Sequence, residues 1–441
     1  METSYFISTF LLITSTELMI GSSETAIFCK SIALAYAFEL LIMDFLVLNS
    51  GSTSQKLALV EIEAETETHK NIAGAKVSRN LRILWVNGHS NLRSVEGRQE
   101  AIEILLAEME RETGRSRSTV DAIGHRVVHG GSLFSEATII DSTVLASLKE
   151  LTELAPLHNS HCLEGIEYCF KSCAGQTQIA VFDTAFHGSI PEKASIYALP
   201  YRWYQSHGVK RFGFHGINVE YCLGRLPALF PADNELPSRI VVCHLGGGCS
   251  VTAVLDGRSI DTTMGFTPLE GLVMATRSGS IDPGILSYIA GKENLSLEQL
   301  ETVLNRDSGL KGISGLTGDM QELLTARQAG LKRAELAFDI FVLSASKHIA
   351  AMAASLNGID ALVFTGGIGE NSSVVRQSIC QRLNFLGVQL DSERCAAATG
   401  GQPDCLIADG PVAVAVIKAD EFAQIASHCD SLIERKQTKL I

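Results

Sequence analysis

Two arginines stand in apolar, glycine-flanked stretches, where a cationic side chain needs an anionic partner. Arg126 lies within GHRVVHGG and Arg277 within ATRSG. An unpaired guanidinium inside a protein is costly. We therefore expect each arginine to meet either an Asp or Glu of the chain or the carboxylate or phosphate of a bound molecule, which a guanidinium binds with two parallel hydrogen bonds. The sequence leaves both possibilities open.

Four histidines, His158, His187, His215 and His244, stand beside glycine, proline or aspartate in otherwise apolar sequence. A single histidine in such a place is most often a core residue whose ring nitrogens are hydrogen-bonded. Four of them favour the lining of a cleft.

Three turns rich in Gly, Ser and Thr follow apolar runs, at residues 49–54, 245–250 and 366–371. Such turns let backbone N–H groups and hydroxyls converge on phosphate oxygens. One alone is more often a plain turn, but three favour phosphate binding. None matches the pattern G-x-x-x-x-G-K-[ST], because Lys56 follows Gln55, and no G-x-G-x-x-G follows the first strand.

Strands and helices alternate along the chain, which predicts an α/β architecture. Apolar runs predict strands at residues 45–48, 57–60, 122–128 and 361–365 and a strand–turn–strand unit at residues 240–254, whereas residues 99–112 and 334–356 have helical spacing. The same device, a glycine- and hydroxyl-rich turn between two strands, occurs once in each half. This repetition predicts two related lobes with a cleft between them.

Composition narrows the class of protein. A length of 441 residues favours two domains, and a formal net charge of −13 argues against general nucleic-acid binding but not against nucleotide binding. The 11 cysteines form no C-x-x-C pair. They are typical of free, buried thiols in a reduced cytoplasm.

The first 42 residues differ from the rest. Their apolar runs are too short for a spanning helix and lack the basic flank of a secretory signal, so we expect no membrane association. We expect residues 1–42 to be an extension outside the fold and Met43 to be the natural start. Residues 43–192 with 421–441 would form one lobe, and residues 193–420 a second, nucleotide-binding lobe.

A series of short strings resembles the acetate kinase family, in that family's order from Met43 to about His428. The strings are LNSGSTSQK, GHRVVHGG, APLHN, VFDTAFH, YALPY, RFGFHG, CHLGGG, DTTMGFTPLEG, TRSGSIDP, SGLKGISGL and VFTGGIGEN. The resemblance implies a duplicated, RNase H-like fold of the actin-like ATPase type with a central cleft. It also implies a homodimeric kinase that makes acyl phosphates such as acetyl phosphate from short-chain acids and ATP with Mg²⁺.

The family's site residues carry over where this chain has the same residue. By resemblance the catalytic residues are Arg126, His158, Asp183, His215 and Arg277. The acid would contact Arg126, Val128, Leu157, Phe214 and Pro268. The nucleotide would contact Lys56, His244, Gly246, Gly247, Gly248, Asp319, Gly366, Gly367, Ile368, Gly369 and Asn371. Mg²⁺ would be positioned by Asn49 and Glu421.

Three departures from the family pattern lie near the expected nucleotide site. Gly247 replaces the usual Asn of HLGNG, the segment Ile217-Asn218-Val219 replaces Thr-Ser-His, and Gln321 stands where many members have Arg. They bear on ATP affinity or the choice of phosphoryl donor. The alternatives are a propionate or butyrate kinase, a catalytically weakened binding protein on the same fold and, more remotely, a metabolite phosphatase.

Overall fold

The computed structural model describes residues 42–51, 54–66, 77–90, 92, 94–153, 156–231, 235–399, 401–402, 404–408 and 410–438. The side chains of residues 64–66, 77–78, 153 and 156–158 lie outside that description. Apart from Ile42, the expected N-terminal extension therefore lies outside the described residues.

A six-stranded mixed sheet forms the first half of the fold. Its strands are β1 (Ile42–Ser50), β2 (Ser54–Thr66), β3 (Val77–Ser90), β4 (Ala122–Val127), β5 (Thr138–Ile139) and β6 (Thr177–Phe182). They lie in the order β3-β2-β1-β4-β6-β5. Strands β1, β4 and β6 are parallel neighbours, whereas β2, β3 and β5 run antiparallel to the strands beside them.

The second sheet repeats this topology. Its strands are β7 (Arg239–Leu245), β8 (Cys249–Leu255), β9 (Arg258–Thr262), β10 (Ala361–Thr365), β11 (Cys405–Leu406) and β12 (Ala413–Val416). The order β9-β8-β7-β10-β12-β11 and the strand directions match those of the first sheet, strand for strand. The duplicated α/β fold expected from the two strand–turn–strand segments is confirmed.

Helices surround both sheets. They are α1 (Val95–Thr113), α2 (Ser142–Glu150), α3 (Pro156–Ser172), α4 (Glu192–Ser195), α5 (Tyr201–His207), α6 (Gly216–Arg225), α7 (Gly284–Glu293), α8 (Leu297–Thr302), α9 (Gly309–Ser314), α10 (Met320–Gln328), α11 (Lys332–Ser355), α12 (Gly366–Asn371), α13 (Ser373–Gln381), α14 (Ser392–Ala397) and α15 (Glu421–Thr438). Short 3₁₀ segments lie at Leu151–Glu153, Ala185–Ser189, Leu226–Leu229 and Asn384–Leu386, and a π segment at Val303–Asp307. The glycine-rich stretch after β10 is thus a short helix rather than an open turn.

The core of each half is built by periodic apolar faces. In α11 the buried residues Ala337, Phe341, Ala345 and Ile349 recur every fourth position and pack towards β7 and β8. By length and composition this is the one helix among the described residues apolar enough to cross a membrane, and half of its most apolar window is buried inside the protein.

Helix α15 returns the end of the chain to the first sheet, where it packs against β1, β2 and β4.

Candidate active site

Four polar side chains meet where the parallel strands of the first sheet end. Asn49, Arg126 and Asp183 lie at or just after the carboxyl ends of β1, β4 and β6, and Glu421 begins α15. Arg126 donates from Nε to Asp183 Oδ1 at 3.1 Å and from Nη2 to Oδ2 at 2.6 Å. Its Nη1 donates to Asn49 Oδ1, and Asn49 Nδ2 donates to Glu421 Oε2, each at 3.3 Å. Parallel neighbours end at one sheet edge, which brings these distant residues together.

The electrostatics of this cluster come from a buried ion pair. Burial acts to lower the pKa of Arg126, but Asp183 and Glu421 hold it above its usual range. Burial raises the pKa of Asp183, and the charge of Arg126 acts against that shift. The expected anionic partner of Arg126 is therefore an internal carboxylate, and its Nη1 edge is the part not bound to Asp183.

Two imidazoles form a stacked pair beside this cluster. The rings of His215 and His244 lie 4.2 Å apart between centroids, with 22° between their planes. His215 Nδ1 is 2.9 Å from Ser250 Oγ, and His244 Nδ1 is 2.9 Å from Asn218 Nδ2. Burial lowers the pKa of His215 well below its usual value and that of His244 to about 4. Both rings are neutral at physiological pH.

The backbone places His215 with some strain. It precedes α6 with a φ of 60°, a left-handed conformation that is uncommon for a residue with a side chain. The next residue, Gly216, donates its N–H to Asp183 O at 2.9 Å. A Cβ at Gly216 would lie 2.3 Å from that oxygen, so only glycine permits the approach. The motif FHG therefore ties the imidazole to the ion-pair cluster.

Glycines from the turn after β7 and from the start of α12 lie beside the Nε2 atoms of these histidines. A Cβ on Gly248 would lie 3.4 Å from His215 Nε2, and one on Gly366 would lie 3.1 Å from His244 Nε2. A Cβ on Gly246 would lie 3.6 Å from His244 Nε2 and 3.9 Å from Gly367 N. The turn after β7 and the start of α12 thus lie against each other beside His244, and the turn also borders His215, which brings together glycines 246, 248, 366 and 367.

Arg277 differs from Arg126 because it has no carboxylate partner among the described residues. Its Nη1 donates to Pro268 O at 3.1 Å and lies 3.5 Å from Met274 Sδ. Burial lowers the pKa of its guanidinium. A Cβ on Gly248 would lie 3.3 Å from Nη1, so the cation borders the glycine turn. This is the arrangement expected of a guanidinium that binds the anion of a ligand.

The described residues of the expected acid pocket, Val128, Phe214 and Pro268, are half-buried or buried. Phe214 is 1% exposed, and half-buried Val128 packs against the same core cluster. Buried His129 lies edge-on to Phe214, with ring centroids 5.4 Å apart. Asn159, at the start of α3, holds the loop by accepting from His129 N at 3.0 Å and donating to His129 O at 2.9 Å. Pro268 is buried and adjoins Arg277 through its carbonyl.

Other expected nucleotide contacts lie around this centre. Lys56 pairs with Asn49 in the β1–β2 register, so both side chains leave the same face of the sheet. Exposed Asp319 caps α10 by accepting from Gln321 N at 2.8 Å and Glu322 N at 2.9 Å. Asn371 Nδ2 donates to Gly367 O at 2.8 Å across α12. The other expected nucleotide contacts in that helix, Ile368 and Gly369, are half-buried and buried, respectively. Gly247 is exposed and accepts at its carbonyl from Ala275 N at 3.3 Å.

One expected cleft histidine belongs to the core. His187 is 3% exposed, with Nδ1 2.9 Å from Ser259 Oγ and Nε2 3.0 Å from Phe214 O. Its place in the cleft lining was a wrong prediction, because both ring nitrogens are bonded inside the protein. The side chains of Leu157 and His158 lie outside the described residues.

Two residues of the site were not singled out as site residues from the sequence. Asn218 and Ser250 bond the inner nitrogens of the two stacked histidines. Ser250 belongs to the glycine turn, and Asn218 was visible only as a departure from the family pattern. No local spacing indicates that either side chain reaches an imidazole.

No cluster of three or more His, Cys, Asp or Glu side chains that could hold a metal ion occurs among the described residues. Asn49 and Glu421, within hydrogen-bond reach of each other, instead offer an amide and a carboxylate oxygen. A magnesium ion that keeps several waters and binds substrate phosphates needs no larger protein cage.

Comparisons with known proteins agree with this geometry. The profile of the acetokinase family matches residues 44–427. The chain is 41% identical over 399 residues to an acetate kinase of Halothermothrix orenii, covering 89% of this chain and 100% of that protein. Solved structures with the same fold include a propionate kinase of Francisella tularensis (TM-score 0.73, 36% identity, 88% of this chain and 98% of that one). An acetate kinase of Porphyromonas gingivalis has a TM-score of 0.74 and 33% identity, covering 89% of this chain and 100% of that one. This chain belongs to the acetokinase family.

Proposed function

We propose that this chain reversibly transfers the γ-phosphoryl group of ATP to acetate, giving acetyl phosphate and ADP. The observation that carries the proposal is the meeting of Arg277, His215 and Gly248. The Cβ position of Gly248 lies 3.3 Å from Arg277 Nη1 and 3.4 Å from His215 Nε2. A cation without a carboxylate partner among the described residues, a neutral imidazole and a glycine turn suit a phosphoryl group, whose transfer spreads negative charge over three oxygens.

The reaction needs positioning more than it needs a base. A carboxylate oxygen of acetate attacks the γ-phosphorus and forms the new O–P bond. The bond from that phosphorus to the bridging oxygen breaks on the opposite side, and its electron pair leaves with ADP. No proton has to be removed, because a carboxylic acid is already ionised at neutral pH. The protein's part is to align the two substrates and to neutralise charge.

The acid would lie with its methyl group on the wall of Val128 and Phe214. Its carboxylate would meet the Nη1 edge of Arg126, since the other edge is bound to Asp183. Arg277 and the two histidines would hold the transferred group from the other side. Leu157, Pro268 and His158 complete the proposed acid and phosphoryl sites by resemblance.

The nucleotide would bind along the glycine turns, with its phosphates at residues 246–248 and 366–369 and further contacts from Lys56, Asp319 and Asn371. Asn49 and Glu421 would hold Mg²⁺, and their oxygen atoms fit that ion. When bound, the ion neutralises charge on the β- and γ-phosphates.

We further propose a cytoplasmic homodimer without membrane or nucleic-acid partners. The lobes proposed are residues 43–192 with 421–441, and residues 193–420. Helix α15 packs on β1, β2 and β4, and this packing supports the assignment of residues 421–441 to the first lobe. Light scattering on the purified full chain tests the dimer, and a mass of about 47.4 kDa would contradict it.

The experiment that tests the function is acyl-phosphate trapping with hydroxylamine. The full chain is incubated with ATP, Mg²⁺ and acetate, propionate or butyrate, and kcat/KM is compared between acids. The highest kcat/KM with acetate is expected. A higher value with propionate or butyrate would assign the alternative acid. Purified, folded protein that binds ATP but makes no acyl phosphate with any acid would identify a binding protein.

A further inference from the structure

Asn218 links three elements beneath the stacked imidazoles. It lies in the first turn of α6, is 0% exposed, and directs its amide at the ends of β7 and β10. Its Nδ2 lies 2.9 Å from His244 Nδ1 and 3.3 Å from Thr365 Oγ1. An amide nitrogen carries hydrogens and only donates, so His244 Nδ1 must accept.

The orientation of this amide sets the hydrogen-bonding role of His244. In the structure both Nδ2 hydrogens have acceptors, and Oδ1, the other polar atom of this amide, has no partner among the described residues. The exchanged orientation would turn the oxygen towards His244 Nδ1 and Thr365 Oγ1, and His244 would then carry its hydrogen on Nδ1. The tautomer of His244 therefore reports on the orientation of this amide.

The orientation decides which nitrogen of His244 carries hydrogen. A neutral imidazole has one N–H, and a ring that accepts at Nδ1 donates at Nε2. This Nε2 lies 3.1 Å and 3.6 Å from the Cβ positions of Gly366 and Gly246. The N–H bond is therefore directed towards the glycine turn after β7 and the start of α12.

We propose that Asn218 is a positioning residue that fixes His244 as the Nε2–H tautomer, so that the ring presents a hydrogen-bond donor to the phosphoryl group in transfer. The kinetic part of this inference rests on the proposed function, whereas the tautomer does not. The serine usual in the family carries a hydroxyl that both donates and accepts. It would leave the tautomer open, so the constraint belongs to this chain.

The partner histidine provides a contrast. His215 Nδ1 lies 2.9 Å from Ser250 Oγ, and that hydroxyl can act as donor or acceptor. Ser250 therefore does not dictate the tautomer of His215. Of the two stacked rings, His244 is the one whose hydrogen is set by an obligate donor.

The tautomer is measured on the full chain labelled with ¹⁵N-histidine, by two-bond ¹H–¹⁵N correlation spectra without substrates. His244→Gln serves only to assign the signal. A neutral Nε2–H ring is expected at pH 7. An Nδ1–H ring, or an even mixture, would overturn the inference. This spectrum decides the matter even where a variant fails to fold.

Variants connect the tautomer to turnover. In Asn218→Asp the carboxylate only accepts, so the ring should change to Nδ1–H and kcat should fall about 10²- to 10³-fold, with KM for acetate near wild type. Asn218→Ser should give mixed tautomers and an intermediate kcat. Ser250→Ala, the matched control, should leave the His244 tautomer unchanged.

The results of these experiments test the role of Asn218 separately from the proposed kinase activity. Asn218→Asp with wild-type kcat, or a loss of Tm with an unchanged tautomer, would show a merely structural role for Asn218. A wild-type chain with the Nε2–H ring but no acyl phosphate product would reject the function and leave the tautomer assignment intact. An active wild type with an Nδ1–H ring would support the proposed function and reject the tautomer assignment.

Discussion

Arg126 and Asp183 form a two-point ion pair between the ends of adjacent strands, with Nε–Oδ1 and Nη2–Oδ2 distances of 3.1 and 2.6 Å. Arg277, the other arginine of the site, has no such partner among the described residues. Its guanidinium contacts the Pro268 carbonyl instead. Removal of Arg126 would therefore leave the Asp183 carboxylate without its cation, whereas removal of Arg277 would leave no described carboxylate unpaired.

Arg277→Ala is expected to lower kcat about 10²- to 10³-fold with little change in the free energy of unfolding, because it removes charge stabilisation and leaves no buried carboxylate unpaired. Arg126→Ala is expected to lose turnover as well and to destabilise the fold by about 3–5 kcal/mol. It leaves Asp183, 1% exposed, without its cation. Acyl-phosphate trapping and urea unfolding of both variants make the comparison. Equal stability losses, or normal turnover in Arg277→Ala, would contradict it.

Gly247→Asn is expected to fold normally and to lower KM for ATP or raise kcat. Gly247 does not have positive φ, and a Cβ there meets nothing within 4 Å, so a side chain can enter without strain. An amide there would be available to the phosphates. Gly248→Ala is the matched control, because its Cβ would crowd Arg277 Nη1 and His215 Nε2 and should lower kcat. Steady-state kinetics with varied ATP measures both, and a Gly247→Asn enzyme worse than wild type would refute the first expectation.

Gly366→Ala is expected to weaken nucleotide binding and stability together. This glycine has a φ of 76°, and a Cβ would lie 2.8 Å from Leu245 O. A non-glycine residue is strained there, and the contact would push the start of α12 away from β7. Calorimetric titration with ATP and thermal unfolding give the two readouts. Gly401→Ala is the control, since φ is also positive but a Cβ meets nothing within 4 Å. Wild-type affinity in Gly366→Ala would show that the turn tolerates the shift.

Acid is expected to destabilise the protein between about pH 6.5 and 4. Burial lowers the pKa of His125, His129 and His187 from 6.5 to about 4 each. In that window the unfolded chain binds protons that the folded chain does not, so stability falls as pH falls. Each histidine contributes at most about 3 kcal/mol. Urea unfolding at several pH values measures the slope of the unfolding free energy against pH, which should become shallower in His125→Gln than in the wild type. An unaltered slope in His125→Gln would contradict the contribution of the lowered pKa of His125 to the acid sensitivity.

A chain that starts at Met43 is expected to fold and to phosphorylate acetate like the full chain. Strand β1 keeps its pairing with β2 from Met43 opposite Ile62 onward, and among the described residues one pair, Ile42 with Glu63, is lost. The family match begins at residue 44. Circular dichroism, light scattering and acyl-phosphate trapping compare the two forms. Insolubility or inactivity of the shortened chain alone would show that residues 1–42 belong to the folded protein.

The sequence by itself determined the elements and the chemical kinds of residue in the site. Apolar runs and helical apolar spacing, with glycine-rich turns between strands, predicted the repeated strand–turn–strand unit and helix α11. Arginines and histidines in apolar sequence predicted that these side chains would need charged or hydrogen-bonding partners.

Only the tertiary structure decided which partners these are. Arg126 meets Asp183, 57 positions along the chain, because β4 and β6 are parallel neighbours that end at one edge. His187 lies in the core, whereas the Nε2 atom of His244 faces Gly246 and Gly366, although both histidines occur in apolar sequence beside a turn. Asn218 reaches His244 from another element. A side chain's partner depends on distances between segments remote in sequence, and local spacing carries no information about those distances.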